Sequence, residues 1–579
     1  MKVPLLIDPV YDDGIVRFGI WTNGKHIITD EIFKPYCYSY TPYNEIGVTP
    51  VKTDLKPLTD RFCDKPIYKL VFDDSYTYGK FRKEHDDLME SNINMHNRLL
   101  IDHPEICEQY ANTEPLRYLD LDIETWTHNG KFPEPEREPI IAIGLGYSSG
   151  NTDGRIDILD VKKQTENPND IELLRQEKEL LKKFCDIVRE FNPDIISTYN
   201  GNGFDINYII TRMKKHGLST KLLTRDNTEI TARYGEVEGK QVVKEWLIGG
   251  RKHYDILETS VFSFTQGKII DQSLYADAPE NYSLKTIAKL KGEHDVIKEA
   301  EEDIGNMWKQ PGTEQLHTYL TSDIRCTRRL RKVYLPVIIA KAEFAFSDLG
   351  SMITGTTSYL GNLITPRGLH DKYVGDMSLN DWIEKNYPVL ENKQGALIEQ
   401  PGYGIYTEGI IDADAKSQYP SVLIGLNLSQ ETTRFLRIEN KLEPYHVEVY
   451  DDKWILHIPD YVINKQLVIE VDRTVKGYLS TLLQETLDKR AEIRKRMKDY
   501  EKGSEEYVAL DCQQQVMKLV ANGQSGYLST GTNIFAGMAC YCAMTGTARA
   551  WIREMAYPDN AVLLISTDGV FLDESKLCG

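Results

Sequence analysis

The chain has 579 residues, of which 41% are hydrophobic and 27% charged, and its formal net charge is -19 at pH 7. This length predicts several domains with ordinary hydrophobic cores. The acidic balance argues against a simple binder of polyanions with a uniformly basic surface, although a groove needs only a local basic lining. Nine scattered cysteines without a C-x-x-C pair indicate reduced thiols, and no apolar run is long enough for a signal peptide or a membrane span.

Residues 1–113 alternate short apolar runs with turn residues, which predicts a small β-rich N-terminal domain without a recognisable chemical motif. Residues 114–345 alternate strand and helix patterns and predict an α/β domain around a central sheet. Its predicted strands cover residues 118–125, 140–146, 156–159 and 194–199, and its predicted helices cover 171–191, 206–215 and 313–333.

The remaining chain predicts three further stretches. Residues 346–475 show strands and turns, and residues 476–557 are strongly helical. A basic amphipathic helix is predicted over 479–502, followed by a break and a second helix. A final strand pair with a tight turn covers residues 561–572.

Carboxylates recur along the predicted strand over 118–125. Asp120, Asp122 and Glu124 alternate in sequence, so they point to one face of the strand. Like charges this close repel unless a cation lies between them, and Mg²⁺ or Mn²⁺ prefers oxygen ligands. In isolation the pattern is weak and is more typical of a solvated strand face.

Two further segments favour a catalytic metal site over a solvated strand face. Asn200-Gly-Asn-Gly-Phe-Asp205 opens a helix and places Asp205 at its start, and Tyr319 and Asp323 share one face of a later helix. In this order, the three segments resemble the three exonuclease motifs of proofreading family B DNA polymerases.

That resemblance implies a ribonuclease-H-like fold for residues 114–345 and a role for each motif residue. Four carboxylates would hold two metal ions, one activating a water and both stabilising charge at the scissile phosphate: Asp122, Glu124, Asp205 and Asp323. Tyr319 would orient the water, and Asn200 and Phe204 would position the frayed primer end. Ser283, in a segment that continues the domain, receives no catalytic role.

A second site follows the strand that ends at Asp414. Asp414-Ala-Lys-Ser417-Gln-Tyr419-Pro-Ser421 resembles the family's motif A, D-x-x-S-L-Y-P-S. The resemblance implies that Asp414 binds both catalytic metals, that the backbone after it, at Ser417, receives the triphosphate, and that Tyr419 stacks under the sugar and excludes a 2′-hydroxyl. Gln418 departs from the usual apolar residue.

The predicted helix pair resembles the family's fingers, in which Arg490 and Lys518 would grip the β- and γ-phosphates. A solvated basic helix face is the alternative for Arg490. Lys518-Leu-Val-Ala-Asn522-Gly-Gln-Ser-Gly526 resembles motif B, K-x-x-x-N-S-x-Y-G, and makes Asn522 a substrate-binding candidate. The usual Ser and Tyr are replaced, which affects the pocket for the nascent base pair.

Motif C of the family is an acidic turn, D-T-D, between two strands. Here it is Ser566-Thr567-Asp568-Gly569, so the second aspartate is kept and the first is a serine. The resemblance makes Asp568 a metal ligand beside Asp414, with weaker metal affinity because one carboxylate is lost. A purely structural hairpin turn is the alternative.

Altogether the chain resembles a family B DNA polymerase with a 3′–5′ proofreading exonuclease, of the tailed-phage replicative type. The implied fold is multidomain α/β, with two Mg²⁺ or Mn²⁺ ions in each active site and primer-template DNA and dNTPs as substrates. The expected domains are a β-rich N-terminal domain (1–113), a 3′–5′ exonuclease domain (114–345), a first part of an α+β palm (346–475), helical fingers (476–530) and the motif C part of the palm (531–579).

The sequence ends eleven residues after Asp568, before any thumb. We therefore expect an incomplete or split chain that extends primers poorly alone, with a second polypeptide supplying the remaining palm and thumb, and a sliding clamp as a further partner. The alternatives are a stand-alone 3′–5′ exonuclease on single-stranded DNA and a non-catalytic, polymerase-like DNA-binding module. The expected location is the cytoplasm, that of the host for a viral protein, with no membrane partner.

Overall fold

The structure, a computed structural model, describes residues 2–577 except 13, 59–64, 127–131, 238, 266–278, 298–306, 309–313, 356, 376–394, 400–408, 530–532 and 557–560. The chain divides into two compact units. The first comprises Met1–Asp8, Phe18–Thr29 and Glu105–Thr354, and the second comprises Pro9–Arg17, Asp30–Pro104 and Gly355–Gly579. None of the helices in the described ranges is both long and apolar enough to cross a membrane.

The N-terminal part holds short strands and helices. They are β1 (Leu6–Asp12), β2 (Ile15–Thr22), β3 (Lys25–Ile28), β4 (Tyr36–Ser39), β5 (Val48–Thr53), β6 (Lys56–Leu58), β7 (Ile67–Phe72), α1 (Ser75–Glu84), α2 (Met95–Asp102) and α3 (Glu105–Gln109). The strands form sheets in the orders β1-β2-β3 and β4-β7-β5. They agree with the β-rich pattern of this stretch, whereas α1, α2 and α3 were not predicted. Helix α1 begins because Asp74 accepts the backbone N–H of Thr77.

The next elements belong to the first unit and surround a large sheet. They are β8 (Arg117–Thr125), β9 (Ile140–Ser149), β10 (Thr152–Asp160), α4 (Ile171–Phe191), β11 (Ile195–Thr198), α5 (Asp205–Lys215), β12 (Thr231–Val237), β13 (Lys240–Ile248), β14 (Arg251–Asp255), α6 (Ile256–Thr265), α7 (Leu284–Leu290), α8 (Glu314–Ala345) and α9 (Leu349–Thr354). The seven strands lie in the order β10-β9-β8-β11-β14-β13-β12. β9 is antiparallel to β8 and β10, and β11 is parallel to β8 and β14.

Apolar periodicity explains the packing of α4 on this sheet. Its buried face includes Leu173, Leu181 and Phe184, which belong to the core formed with β8 and β9. Asp170 caps its first turn, and Asn192 ends it in a left-handed conformation.

Helix α8 lies close to β9 because two glycines leave room for it. A Cβ at Gly144 or Gly146 would lie 2.8 or 2.6 Å from side-chain atoms of Leu320 or Ile324 on α8. The helix is longer than the predicted 313–333 and continues through Pro336. A proline usually ends a helix, but buried apolar residues on both sides of Pro336 hold this one together.

The second unit continues with α10 (Thr357–Leu369), β15 (Tyr373–Gly375), β16 (Ile398–Glu399), β17 (Ile410–Asp414), α11 (Gln418–Gly425), β18 (Thr433–Glu439), β19 (His446–Val449), β20 (Lys453–Asp460), β21 (Lys465–Asp472), α12 (Tyr478–Arg496), α13 (Glu505–Ser529), α14 (Met538–Met555), β22 (Val562–Ser566) and β23 (Gly569–Asp573). Two four-stranded sheets have the orders β16-β22-β23-β17 and β18-β21-β20-β19. Helices α12 and α13 pack against each other, as the predicted helix pair requires.

Two predictions for this part of the chain differ from the structure. Residues 346–475 were expected to show strands and turns within an α+β palm, and the helices α9, α10 and α11 were not predicted individually. In α10, Gly361, Pro366 and Gly368 resemble turn residues, and the burial of Leu360 and Leu363 outweighs that local preference. The helix predicted over 479–502 ends at Arg496, followed by a short 3₁₀ turn at Met497–Asp499.

Two candidate catalytic centres

Three carboxylates of the first unit meet at one point. Asp122 and Glu124 extend from β8 and Asp323 from α8, and one ligand atom from each lies within 4.8 Å of the others. Glu124 and Asp323 are buried, and Asp122 is half-buried. The predicted shared strand face therefore meets the predicted helix face in space.

The electrostatics of this cluster favour a cation. Burial first, then the charges of Asp205 and Asp323, raise the pKa of Asp122 well above its ordinary value. Burial and Asp323 do the same to the pKa of Glu124. Such oxygen-only, mutually repelling groups fit a hard divalent cation, which would relieve the repulsion.

Asp205 lies beside this cluster, although it is not one of the three groups within 4.8 Å. It is the first residue of α5, and its Oδ1 accepts the backbone N–H of Ile123 at 3.2 Å. Burial is the main reason that its pKa rises to about 7. The contact fixes the start of α5 beside the strand that carries Asp122 and Glu124.

The loop before α5 is held by Asp255, at the end of β14. Its two carboxylate oxygens accept the backbone N–H groups of Asn200 and Asn202, each at 2.8 Å. Asn200 has a φ of 68°, a left-handed conformation that is uncommon outside glycine. Phe204 precedes α5, with its ring 5.6 Å from that of Phe132.

Lys285 supplies a positive charge to the cluster and was not predicted from the sequence. Its Nζ lies 3.5 Å from Asp323 Oδ1 and 3.7 Å from the centre of the Tyr319 ring. Its charge lowers the pKa values of Asp122 and Glu124 against the stronger effect of burial. Ser283 caps α7 by accepting the N–H of Thr286, which places Lys285 in the first helical turn.

Asp120 shares the strand face but not the cluster, which corrects the expectation of three carboxylates around one cation. Its Oδ1 lies 2.7 Å from Arg331 Nε, and its Oδ2 lies 3.3 Å from Arg328 Nε. All three side chains are largely buried. Two arginines of α8 therefore neutralise Asp120, and it is a structural residue.

The second centre lies on the β16-β22-β23-β17 sheet. Asp414 ends β17 opposite Gly569, and Asp568 occupies the turn between β22 and β23. The backbone N–H of Ala415 donates to the carbonyl of Asp568 at 2.7 Å, which joins the two motifs. Burial and the charge of Asp414 raise the pKa of Asp568, whereas Lys518 lowers it.

Lys518 on α13 is influenced both by the two aspartates and by arginines of α12. Burial lowers its pKa first, followed by Arg490 and Arg494, whereas Asp414 and Asp568 raise it. Arg490 on α12 donates from Nε to Gln514 Oε1 at 3.2 Å. The charges of Asp414 and Asp568 therefore act on Lys518.

For the other predicted residues of the second centre, the structure gives the backbone conformation, burial and hydrogen bonds. Ser417 immediately precedes α11 and has a φ of 53°, and its side chain makes no capping hydrogen bond to the helix. Tyr419 follows it and is half-buried, and burial raises its pKa. Asn522 is exposed on α13. Gln418, the departure in motif A, is buried, and its Nε2 donates to the carbonyl of Ala548 at 3.3 Å, so it anchors α11 to α14.

Comparison with known proteins matches two parts of the chain to one family. Residues 79–287 match the model for "DNA polymerase family B, exonuclease domain", and residues 361–556 match that for "DNA polymerase family B". DNA polymerase 1 of Pyrococcus abyssi is 26% identical over 98% of this chain and 71% of its own length. The DNA polymerase of Thermococcus gorgonarius is 24% identical over 97% of this chain and 70% of its own length.

The chain belongs to the family B DNA polymerases. A solved structure of the family B DNA polymerase from Pyrobaculum calidifontis shares its fold, with a TM-score of 0.68 and 19% identity over 99% of this chain and 74% of the other. The two family domains indicate DNA polymerase and 3′–5′ exonuclease activity, with DNA and dNTPs as substrates. Enzymes of this family generally use divalent metal ions.

Replacement of Lys285 tests whether its positive charge lowers the pKa values of the clustered carboxylates. In Lys285→Met, the pKa values of Asp122 and Glu124 should rise, because the lysine charge lowers them. Metal ligands must be deprotonated, so the acid limb of the exonuclease pH–rate profile should move to higher pH. A shift of one pH unit would lower the rate at the acid end about tenfold.

The measurement is the initial rate of 3′ degradation across the acid and neutral range at fixed Mg²⁺. Lys289→Met, in an exposed position of the same helix, should leave the profile in place. Superimposable profiles for all three proteins would show that Lys285 does not influence the carboxylates.

Asp120 and Asp122 should respond oppositely to the same substitution. Asp120→Asn leaves two buried arginines without their carboxylate and should lower the free energy of unfolding by about 3–5 kcal/mol. Asp122→Asn removes a repelled charge and should stabilise the metal-free protein. Urea unfolding in the presence of EDTA measures both, and an equal loss of stability in the two variants would contradict the separation of their roles.

Proposed function

We propose that the cluster of Asp122, Glu124 and Asp323, together with Asp205, is the metal centre of the 3′–5′ exonuclease. The observation that carries this proposal is the convergence of three carboxylate ligand atoms within 4.8 Å in a largely buried place. The donor set fits two Mg²⁺ or Mn²⁺ ions. When bound, these ions supply an activated water and stabilise charge at the scissile phosphate.

The neighbouring side chains orient the reactants of this hydrolysis. Tyr319, held against the Lys285 ammonium, directs its hydroxyl towards the attacking water. Asn200 and Phe204 position the 3′-terminal nucleotide, and Asp255 supports them through its hydrogen bonds to the loop. The sheet order and the parallel pairing of β11 with β8 support a ribonuclease-H-like fold for this domain.

For nucleotide addition, we propose that Asp414 and Asp568 hold two Mg²⁺ or Mn²⁺ ions at the second centre. The positively charged side chains of Lys518 and Arg490 bind the β- and γ-phosphates of the dNTP. The backbone after Asp414, at Ser417, receives the triphosphate, Tyr419 excludes a 2′-hydroxyl, and Asn522 contacts the nucleotide. Asp414 and Asp568 raise the pKa of Lys518, and Lys518 lowers the pKa of Asp568, which supports this arrangement.

The expected domain bounds extend the proposal: an N-terminal domain (1–113), the exonuclease (114–345), a first part of the palm (346–475), fingers (476–530) and the motif C part of the palm (531–579). The tailed-phage type, a second polypeptide as a partner, a sliding clamp and a cytoplasmic location stay predictions. The named relatives are archaeal.

A Mg²⁺ titration of both activities tests the proposed metal sites. Ser566→Asp adds a carboxylate to the turn beside Asp568 and should raise single-nucleotide addition at low Mg²⁺, with little effect at saturation. The exonuclease should require Mg²⁺ and have the same dependence in both proteins. An unchanged profile for addition, or a parallel shift of both activities, would contradict the assignment of Ser566 and Asp568 to a separate second centre.

A further inference from the structure

A second type of ligand cluster lies on an edge strand of the β18-β21-β20-β19 sheet. His446 on β19 is paired in register with His457 on β20, and Glu448 follows two residues along β19. One ligand atom from each residue lies within 4.8 Å of the other two. Among the described residues, this cluster and that of Asp122 are the groups of three or more side chains so arranged.

Hydrogen bonds hold the three side chains. His457 Nε2 lies 3.0 Å from Glu448 Oε1, and the Tyr450 hydroxyl donates to Glu448 Oε2 at 2.8 Å. His446 Nδ1 lies 3.0 Å from the carbonyl oxygen of Pro444. A carbonyl oxygen only accepts, so the proton of neutral His446 is on Nδ1 and its Nε2 carries a free lone pair. Such a contact is typical of histidines that bind metals.

We propose that His446, Glu448 and His457 form a binding site for a divalent transition metal ion of the Zn²⁺ class. Two imidazoles and one carboxylate, with a water in the fourth position, are a common tetrahedral ligand set for Zn²⁺. Mg²⁺ prefers oxygen ligands, so the two types of site on this chain select different ions.

To close the site, the three ligand atoms must approach one another and one imidazole ring must turn. Bonds of 2.0–2.1 Å in a tetrahedron place ligand atoms about 3.4 Å apart, so the present atoms approach by at most about 1.4 Å. The two imidazole rings now stack 4.2 Å apart at 10°. Lone pairs lie in the ring planes, so one ring must turn to share an ion. His446 is exposed and can turn, whereas His457 is buried.

Calorimetric titration with Zn²⁺, in the presence of excess Mg²⁺ to occupy the carboxylate centres, tests this site on the full chain. Wild type should bind one Zn²⁺ that His446→Ala or Glu448→Gln weakens at least tenfold. Both replaced residues are exposed, so the fold should tolerate the changes. His370→Gln, outside the cluster, should bind Zn²⁺ like wild type.

Co²⁺ provides a second readout, because its absorption spectrum reports the ligands. Wild type and His370→Gln should show the bands of a tetrahedral nitrogen and oxygen site without thiolate charge transfer, and His446→Ala should lose them. The proposal is overturned if wild type binds no Zn²⁺ against Mg²⁺. Equal Zn²⁺ affinity in all four proteins would also overturn it, and the cluster would then be a hydrogen-bonded histidine stack alone.

Discussion

Alanine at both Asp122 and Glu124 is expected to abolish 3′–5′ degradation of single-stranded DNA. The substitutions remove two of the three ligand atoms that meet within 4.8 Å. Loss of residues that merely support metal ligands costs about 10–100-fold in affinity or activity, so loss of two ligands should lower the rate by more than about 100-fold. The measurement is the shortening of a 5′-labelled oligonucleotide in Mg²⁺.

Asp153→Ala with Asp157→Ala is the matched control. It also removes two carboxylates, but from the surface of β10, where they pair with Lys332 and Arg155. Degradation by this control should equal that of wild type. Full activity in the Asp122 and Glu124 double variant would show that hydrolysis takes place elsewhere.

Asp568→Ala and Asp414→Ala should each stop nucleotide addition while leaving the exonuclease intact. Each substitution removes one of the two carboxylates of the second centre, where the charge of Asp414 raises the pKa of Asp568. A fall of more than about 100-fold is expected, by the same reasoning as for the first centre. Single-nucleotide addition under enzyme excess is the suitable measurement, because it does not depend on processivity.

Asp412→Ala provides the control on the same strand. Asp412 lies opposite Phe571, whereas Asp414 lies opposite Gly569, next to Asp568. The control should add nucleotides like wild type. If Asp568→Ala keeps the wild-type rate, the turn is only structural. If Asp412→Ala lowers the rate of nucleotide addition as much as Asp414→Ala does, Asp414 has been wrongly assigned as the metal ligand of this strand.

The first centre shows how far local spacing can predict a site. Alternation along β8 predicted that Asp120, Asp122 and Glu124 share a face, and the i, i+4 rule predicted the same for Tyr319 and Asp323. Local spacing could not separate Asp120 from the others. Its partners, Arg328 and Arg331, lie more than 200 residues away in sequence, and only tertiary packing brings them together.

Lys285 was missed for a similar reason. The segment around Ser283 was noted, but nothing in its local pattern indicates that a lysine in the first turn of α7 lies 3.5 Å from Asp323. A single cation in a helix is usually solvated, and its burial depends on packing against α8. The helix α10 was missed because Gly361 and Pro366 disfavour a helix locally, whereas buried leucines stabilise it.

The central claim is that two separate centres act on one DNA substrate, and reciprocal variants test it most directly. A 5′-labelled primer on a longer template is incubated with excess enzyme and Mg²⁺, with and without dNTPs. Asp323→Asn should add a nucleotide without shortening the primer, and Asp568→Asn should shorten the primer without adding a nucleotide. Equal loss of both activities in either variant would contradict the account.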